Sequence, residues 1–251
     1  MFLIPDSYIK VQRTKNKGNG VFAAHEIKPG TIIGDYVGTV MNDTTIDAMP
    51  EEFHKELYFA SIGETIGVIP DKNKVGIHLI NHSCEPNLAF TPYKNRTFFV
   101  SMRRIFVGEE LTINYLIDAE MGEKNYYICH CNAPTCKGTW YNHPHKIEQF
   151  DKDTARKNAT EKVTEPVKEG TVLTRLPQYP DNFADDPFYD LFGSLKKPPL
   201  IVQEKALVPI DQLRQLIRES GRYLFFAKLH LIVRGICDNQ IITTYKEGVK
   251  S

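Results

Sequence analysis

The sequence predicts a mainly β fold of short strands with irregular connections, a small helical insert and a C-terminal, partly helical extension. Three observations carry this. Short apolar, β-branched and aromatic runs alternate with turn signals between residues 7 and 120. A single early stretch, residues 45–58 (TIDAMPEEFHKELY), has helical character. Past residue 145 the chain turns to Lys, Glu, Thr, Asp and Pro, and apolar density returns only at 207–235.

Taken in order, Gly18-Asn19-Gly20 is a turn signal. Val21 to Ala24 and Thr31 to Val37 read as strands separated by the turn Lys28-Pro29-Gly30. Met49-Pro50-Glu51-Glu52 fits a helix start, since proline is tolerated in a first turn. Thr97 to Ser101 and Glu110 to Tyr115 are further strands. Residues 144–206 read as a loosely ordered linker. In 207–251, Asp211 caps a helix running to Ser220 with Leu213, Leu216 and Ile217 on one face, Gly221 ends it, and Tyr223 to Val233 forms a second. This tail is expected to dock on the main domain or on a partner, and it holds no chemical motif; Cys237 reads as a packed thiol.

Composition excludes several classes. Lys+Arg and Asp+Glu are both 31, so the chain carries no formal net charge and has no global bias toward nucleic acid or a polybasic membrane anchor. Neither direct nucleic-acid binding nor membrane insertion is expected. The apolar run in MFLIPDSYIK stops at Pro5, too short for a signal-peptide core. The expected compartment is therefore intracellular and reducing, where clustered thiols read as metal ligands rather than disulfides.

The cysteines are the most informative chemistry. Cys129, Cys131 and Cys136 stand in CHCNAPTC, and Cys84 lies far upstream in Asn81-His82-Ser83-Cys84-Glu85-Pro86-Asn87. Three close thiols and one distant one can close a tetrahedral sulfur shell around zinc. Such a shell has no open position, so its role is structural: it would clamp the segment after residue 125 onto the loop at residue 84. The plain alternative is free or redox-active thiols.

Gly18-Asn19-Gly20, Tyr36-Val37-Gly38, Asn81 to Asn87, Gly108-Glu109-Glu110-Leu111-Thr112 with Tyr115, and CHCNAPTCKG occur in that order. Together they resemble a SET-domain protein-lysine N-methyltransferase with a zinc-binding post-SET segment. The resemblance implies a SET domain over 7–118, arranged as a β-clip with knot-like threading, and a post-SET segment over 125–143. It implies that the strand near Tyr115 passes beneath the Asn81–Asn87 loop. It further implies transfer of methyl groups from S-adenosylmethionine to a lysine of a protein, with a histone tail as the habitual substrate class. The location that goes with it is the nucleus in a eukaryote and the cytoplasm otherwise.

Physically, methyl transfer from a sulfonium is a problem of alignment. It also needs a neutral amine, although free lysine titrates near ~10.4. A dry channel and the sulfonium charge both disfavour the ammonium. By the resemblance, Tyr115 is the catalytic hydroxyl that orients the amine; the alternative is a core tyrosine on a strand edge. Asn81 and His82 match the cofactor-binding pair, the first through its amide and the second through its main chain. Gly18, Asn19 and Gly20 would bring backbone close to the cofactor, or form an ordinary hairpin turn. Tyr58 resembles a tyrosine lining the cofactor pocket, with a buried core role an equal alternative, and Tyr36 packs as readily as it acts. Trp140 could wall the lysine channel or simply pack.

Two positions depart from the family pattern. His78 stands where arginine is frequent, and Ile113 stands where a tyrosine hydroxyl often limits methylation. Ile113 in the substrate channel is expected to permit di- or trimethylation. The rival reading is a catalytically silent SET module that binds a peptide or scaffolds a complex, and retention of Asn81, His82 and Tyr115 together speaks against it. A zinc-stabilised adaptor using residues 207–235 is compatible with either.

Overall fold

A computed structural model describes residues 1–28, 31–56, 59–62, 66–93, 96–118, 127–142, 152, 167–176 and 178. Its strands are β1 (Ile9–Arg13), β2 (Asn19–Ala23), β3 (Ile32–Asp35), β4 (Gly38–Asn42), β5 (Ala60–Ser61), β6 (Ile66–Ile69), β7 (Asn81–His82), β8 (Leu88–Tyr93), β9 (Arg96–Ser101), β10 (Thr112–Ile113), β11 (Ile117–Asp118), β12 (Tyr141–Asn142) and β13 (Val172–Leu173). Two short helices, α1 (Asp43–Asp47) and α2 (Glu51–Glu56), lie between β4 and β5. The mainly β expectation holds.

The strands form small sheets. An antiparallel trio runs β3-β9-β8, a four-stranded sheet runs β13-β4-β6-β5, and β1 pairs with β2. β9 (RTFFVS) is the buried centre of its trio, with Thr97 to Ser101 all buried. A strand covered on both faces reads as a continuous apolar run rather than an alternating one. Around it pack Ile4, Val21, Ile27, Ile33, Val68, Ile80, Leu88 and Leu111.

The helical stretch expected over 45–58 is two helices. Asn42 caps α1, its side chain accepting from the Thr45 N–H at 2.7 Å. Pro50 disfavours helical backbone at Met49, so α1 stops and α2 begins at Glu51. Tyr58 lies outside the described residues.

Within 144–206, Val172 and Leu173 pair antiparallel with Thr39 and Gly38. Glu169 accepts from Asn42 Nδ2 at 2.6 Å and from Thr45 Oγ1 at 2.8 Å. Part of the expected linker is thus laid along the sheet. The Arg96 guanidinium reaches the Thr174 carbonyl at 3.1 Å and also pairs with the buried carboxylate of Asp35. The helices expected after residue 207, and Cys237, lie outside the described residues. Among the described residues no helix is long and apolar enough to cross a membrane.

Candidate active site

The site is organised where two distant segments run side by side. β7 and β10 pair in parallel, Thr112 opposite Asn81 and Ile113 opposite His82, and the Ser83 N–H extends the ladder to the Ile113 carbonyl at 2.7 Å. Asn87 then brackets the passing strand. Its Oδ1 accepts from the Thr112 N–H at 2.9 Å and its Nδ2 donates to the Glu110 carbonyl at 2.8 Å. Asn87 is 3% exposed, so both amide ends are satisfied by main-chain groups that water cannot serve.

On one side of this crossing lies the turn at residues 18–20. Gly18 has φ +69°, and a Cβ on Gly20 would stand 2.7 Å from Glu110 Oε1 and 3.0 Å from Asn81 Nδ2. Only glycine lets that backbone approach so closely. Asn81 Nδ2 donates to the Asn19 carbonyl at 3.0 Å and to Glu110 Oε1 at 2.9 Å, while Lys17 Nζ holds the other carboxylate oxygen at 2.5 Å. Both amide protons of Asn81 are thereby spent inside the protein, and Oδ1 is the atom that the side chain offers a ligand.

On the other side stands Tyr115. Its hydroxyl donates to the Ile80 carbonyl at 3.1 Å. Its N–H donates to His82 Nδ1 at 3.2 Å. His82 Nε2 lies 3.7 Å from Cys84 Sγ. With Nδ1 accepting, the proton belongs on Nε2, directed at sulfur. His82 is 2% exposed and is not placed to act as a base. The next residue, Leu116, has φ +53°, a conformation costly for a branched apolar side chain. Its N–H donates to Asn114 Oδ1 at 2.9 Å, and that bond helps hold the sharp turn after Tyr115.

Cys84, Cys129, Cys131 and Cys136 converge with their sulfurs all within 4.8 Å of one another. Cys84 and Cys129 are 3.8 Å apart. A tetrahedron with zinc–sulfur bonds of about 2.3 Å has sulfur–sulfur edges of about 3.8 Å, so the donor set fits that metal. Main-chain donors are already aimed at sulfur: Lys137 N–H to Cys84 at 3.4 Å and Cys84 N–H to Cys131 at 3.5 Å. Burial pushes the Cys84 and Cys129 thiols up. At Cys131 burial acts the same way, but N–H groups of Cys84 and Ala133 and the neighbouring thiols bring it down to about 6. A dication at the centre would favour thiolate at all four.

The cysteine segment also carries an aromatic wall. Trp140 meets Tyr115 edge-on, centroids 5.3 Å apart at 81°, lies 6.0 Å from His82 and stacks on Tyr127 at 5.2 Å and 13°. Behind it, Asn114 and Asn142 exchange amide hydrogen bonds of 3.0 and 2.8 Å in a buried pair.

Of the residues singled out in the sequence, Asn19, Gly20, Asn81, His82, Tyr115, Trp140 and the four cysteines line this connected region. Gly18 closes the adjoining turn. Ile113 is 7% exposed and packs in the core cluster with Tyr115 against it. His78, at the arginine position, is pushed down to about 4 by burial and brings no cation there at neutral pH. Sequence reasoning missed Asn87, Glu110, Asn142 and Tyr127. Asn87 and Glu110 lay inside quoted motifs without a role, and nothing local marks Asn142 or Tyr127.

Replacing Asn142 with Ala removes the acceptor of the buried Asn114 Nδ2, while Asn114 Oδ1 keeps the Leu116 N–H, and is expected to cost roughly 1–3 kcal/mol. Urea unfolding of wild type and Asn142→Ala measures it. The Asn114→Ala/Asn142→Ala double variant should lose less than the sum of the single losses.

Known proteins resemble this chain over about its first half. Residues 18–116 match the family model for the SET domain. A histone-lysine N-methyltransferase of Mycosarcoma maydis, described as H3 lysine-36 specific, is 32% identical over 139 residues, which are 52% of this chain and 14% of that protein. A variant-silencing SET domain-containing protein of Plasmodium falciparum is 29% identical over 140 residues, 51% of this chain and 5% of its own. The human histone-lysine N-methyltransferase 2D is 28% identical over 141 residues, 53% of this chain and 2% of its own. The chain thus spans only a small part of the length of these relatives. Over residues 18–116 this chain is thus similar to the SET domain.

Proposed function

We propose that this chain transfers methyl groups from S-adenosylmethionine to a lysine side chain of a protein, with a histone tail as the favoured substrate. The observation that carries the reading is the meeting of Tyr115, His82 and Asn81 at the β7–β10 crossing, beside Gly20, where a Cβ has no room. The printed names of the relatives, histone-lysine N-methyltransferases among them, support the substrate class. A histone substrate would put the reaction in the nucleus of a eukaryotic cell.

The cofactor supplies a methyl group already activated on a sulfonium. The residues present fit it. Asn81 Oδ1 is an acceptor suited to the ammonium of its amino-acid end. The main chain at His82 suits the adenine, and Gly18, Asn19 and Gly20 offer close backbone. Tyr58 is proposed as a further pocket residue. Tyr115 has its proton committed to the Ile80 carbonyl, so its oxygen accepts an N–H of the incoming amine and fixes the direction of the nitrogen lone pair. Trp140, edge-on to Tyr115, walls the lysine channel and keeps water from the amine, which favours the neutral form. Ile113 offers no hydroxyl to hold a water there.

The assay is methyl transfer to core histones by the full chain, read by mass spectrometry. Tyr115→Phe is expected to lower turnover by about 10²-fold or more, the scale of losing a group that positions a reactant, while cofactor affinity by calorimetry stays within a few-fold. Equal turnover of the two proteins would refute the assigned role. Cofactor binding without transfer to any protein would favour the silent module. At saturation the peptides should carry di- or trimethyl-lysine; monomethyl-lysine alone would count against Ile113 as the residue that leaves room.

We further propose that the four cysteines hold one structural zinc ion. The purified protein should contain about one zinc per chain, and Cys84→Ser should lose most of it. Chelation should abolish transfer and loosen residues 127–142 toward proteolysis. Four freely titrating thiols with no metal by elemental analysis would sink the zinc reading.

A further inference from the structure

Among the described residues α2 spans Glu51–Glu56, and one of its carbonyls is served from far away: the Tyr127 hydroxyl donates to the His54 carbonyl at 3.1 Å across 73 residues of chain. Tyr127 sits two residues before Cys129, at the root of the cysteine segment. Its carbonyl accepts from the Trp140 N–H at 3.1 Å and from Thr139 Oγ1 at 3.1 Å. Its ring lies flat on Trp140 and edge-on to Tyr141, 5.6 Å away at 62°. One residue therefore contacts the helical insert by its phenol and the wall of the site by its ring and main chain.

We infer that Tyr127 is a positioning residue: its phenol latches α2 to the cysteine segment, and its ring sets the plane in which Trp140 meets Tyr115. The role in methyl transfer rests on the function proposed above; the latch itself does not. Tyr127 reaches no atom of Tyr115 directly in the contacts described and acts through Trp140. α2 is anchored at its other side by Phe53, which stacks on Phe59 at 6.1 Å with Lys72 Nζ 5.7 Å over its ring. Among the described contacts, movement of α2 reaches Trp140 through the phenol's hydrogen bond and then through the ring stack and the Trp140 N–H bond to the Tyr127 carbonyl. Apart from the bond, Tyr127→Phe preserves the shape of the contact.

Trp140 is the one tryptophan of the chain, so its fluorescence reports this joint without interference. In zinc-replete full-length protein, with no cofactor or substrate added, Tyr127→Phe should raise the acrylamide quenching constant of Trp140 about twofold. Tyr127→Ala, which also removes the stack, should raise it further. In the histone assay Tyr127→Phe should lower kcat by about threefold to tenfold, the scale of one net hydrogen bond, with the KM for cofactor changed less. Should Tyr127→Ala fail to fold, the phenylalanine variant decides alone. Unchanged quenching in Tyr127→Phe overturns the latch. If wild type transfers no methyl group at all, the function proposed above fails, and the quenching result still decides the latch.

Discussion

Everything in the site depends on the side-by-side passage of residues 81–87 and 110–115. Asn87 makes that passage stable. Its amide closes on the carbonyl of Glu110 and the N–H of Thr112, two groups of a strand too short to be held by a full ladder. The parallel pair β7–β10 has only two residues in each strand, and parallel pairing is the weaker kind. A buried side chain that satisfies both main-chain polarities supplies what the ladder lacks. Once the crossing is fixed, Asn81, His82 and Tyr115 have no freedom to drift apart.

A second set of contacts draws the cysteine segment over this crossing. Sulfur convergence on Cys84, the Asn114–Asn142 amide pair and the edge-on contact of Trp140 with Tyr115 all act in the same direction. They are chemically distinct, so the segment is held by close sulfur contacts, by hydrogen bonding and by aromatic packing at once. His82 stands between the two systems, one ring nitrogen toward Tyr115 and the other toward sulfur.

Much of this was legible in the sequence, for a physical reason. Residues whose chemistry suits a ligand or a metal stand together in short stretches, as in Asn81 to Asn87 and in CHCNAPTC. The β-rich class was legible because β2, β3 and β9 are compact apolar runs. The supports were not. Asn142 and Tyr127 are ordinary residue types whose partners lie 28 and 73 residues away, and no local pattern encodes such a distance. The insert read as one helical stretch because its periodicity survives the break. The capping amide of Asn42 and the ring of Pro50 split it into two. The segment at 167–176 read as linker because polar composition masks the two residues that pair with the sheet.

That pairing has a consequence for solubility. In the four-stranded sheet, β13 occupies the outer side of β4. Without it, the amides and carbonyls of Gly38 and Thr39 would face outward as an open template for a strand from another molecule. The residues that look most like spacer in this chain thus cover a sheet edge, and a fragment trimmed to residues 18–116 would leave it bare.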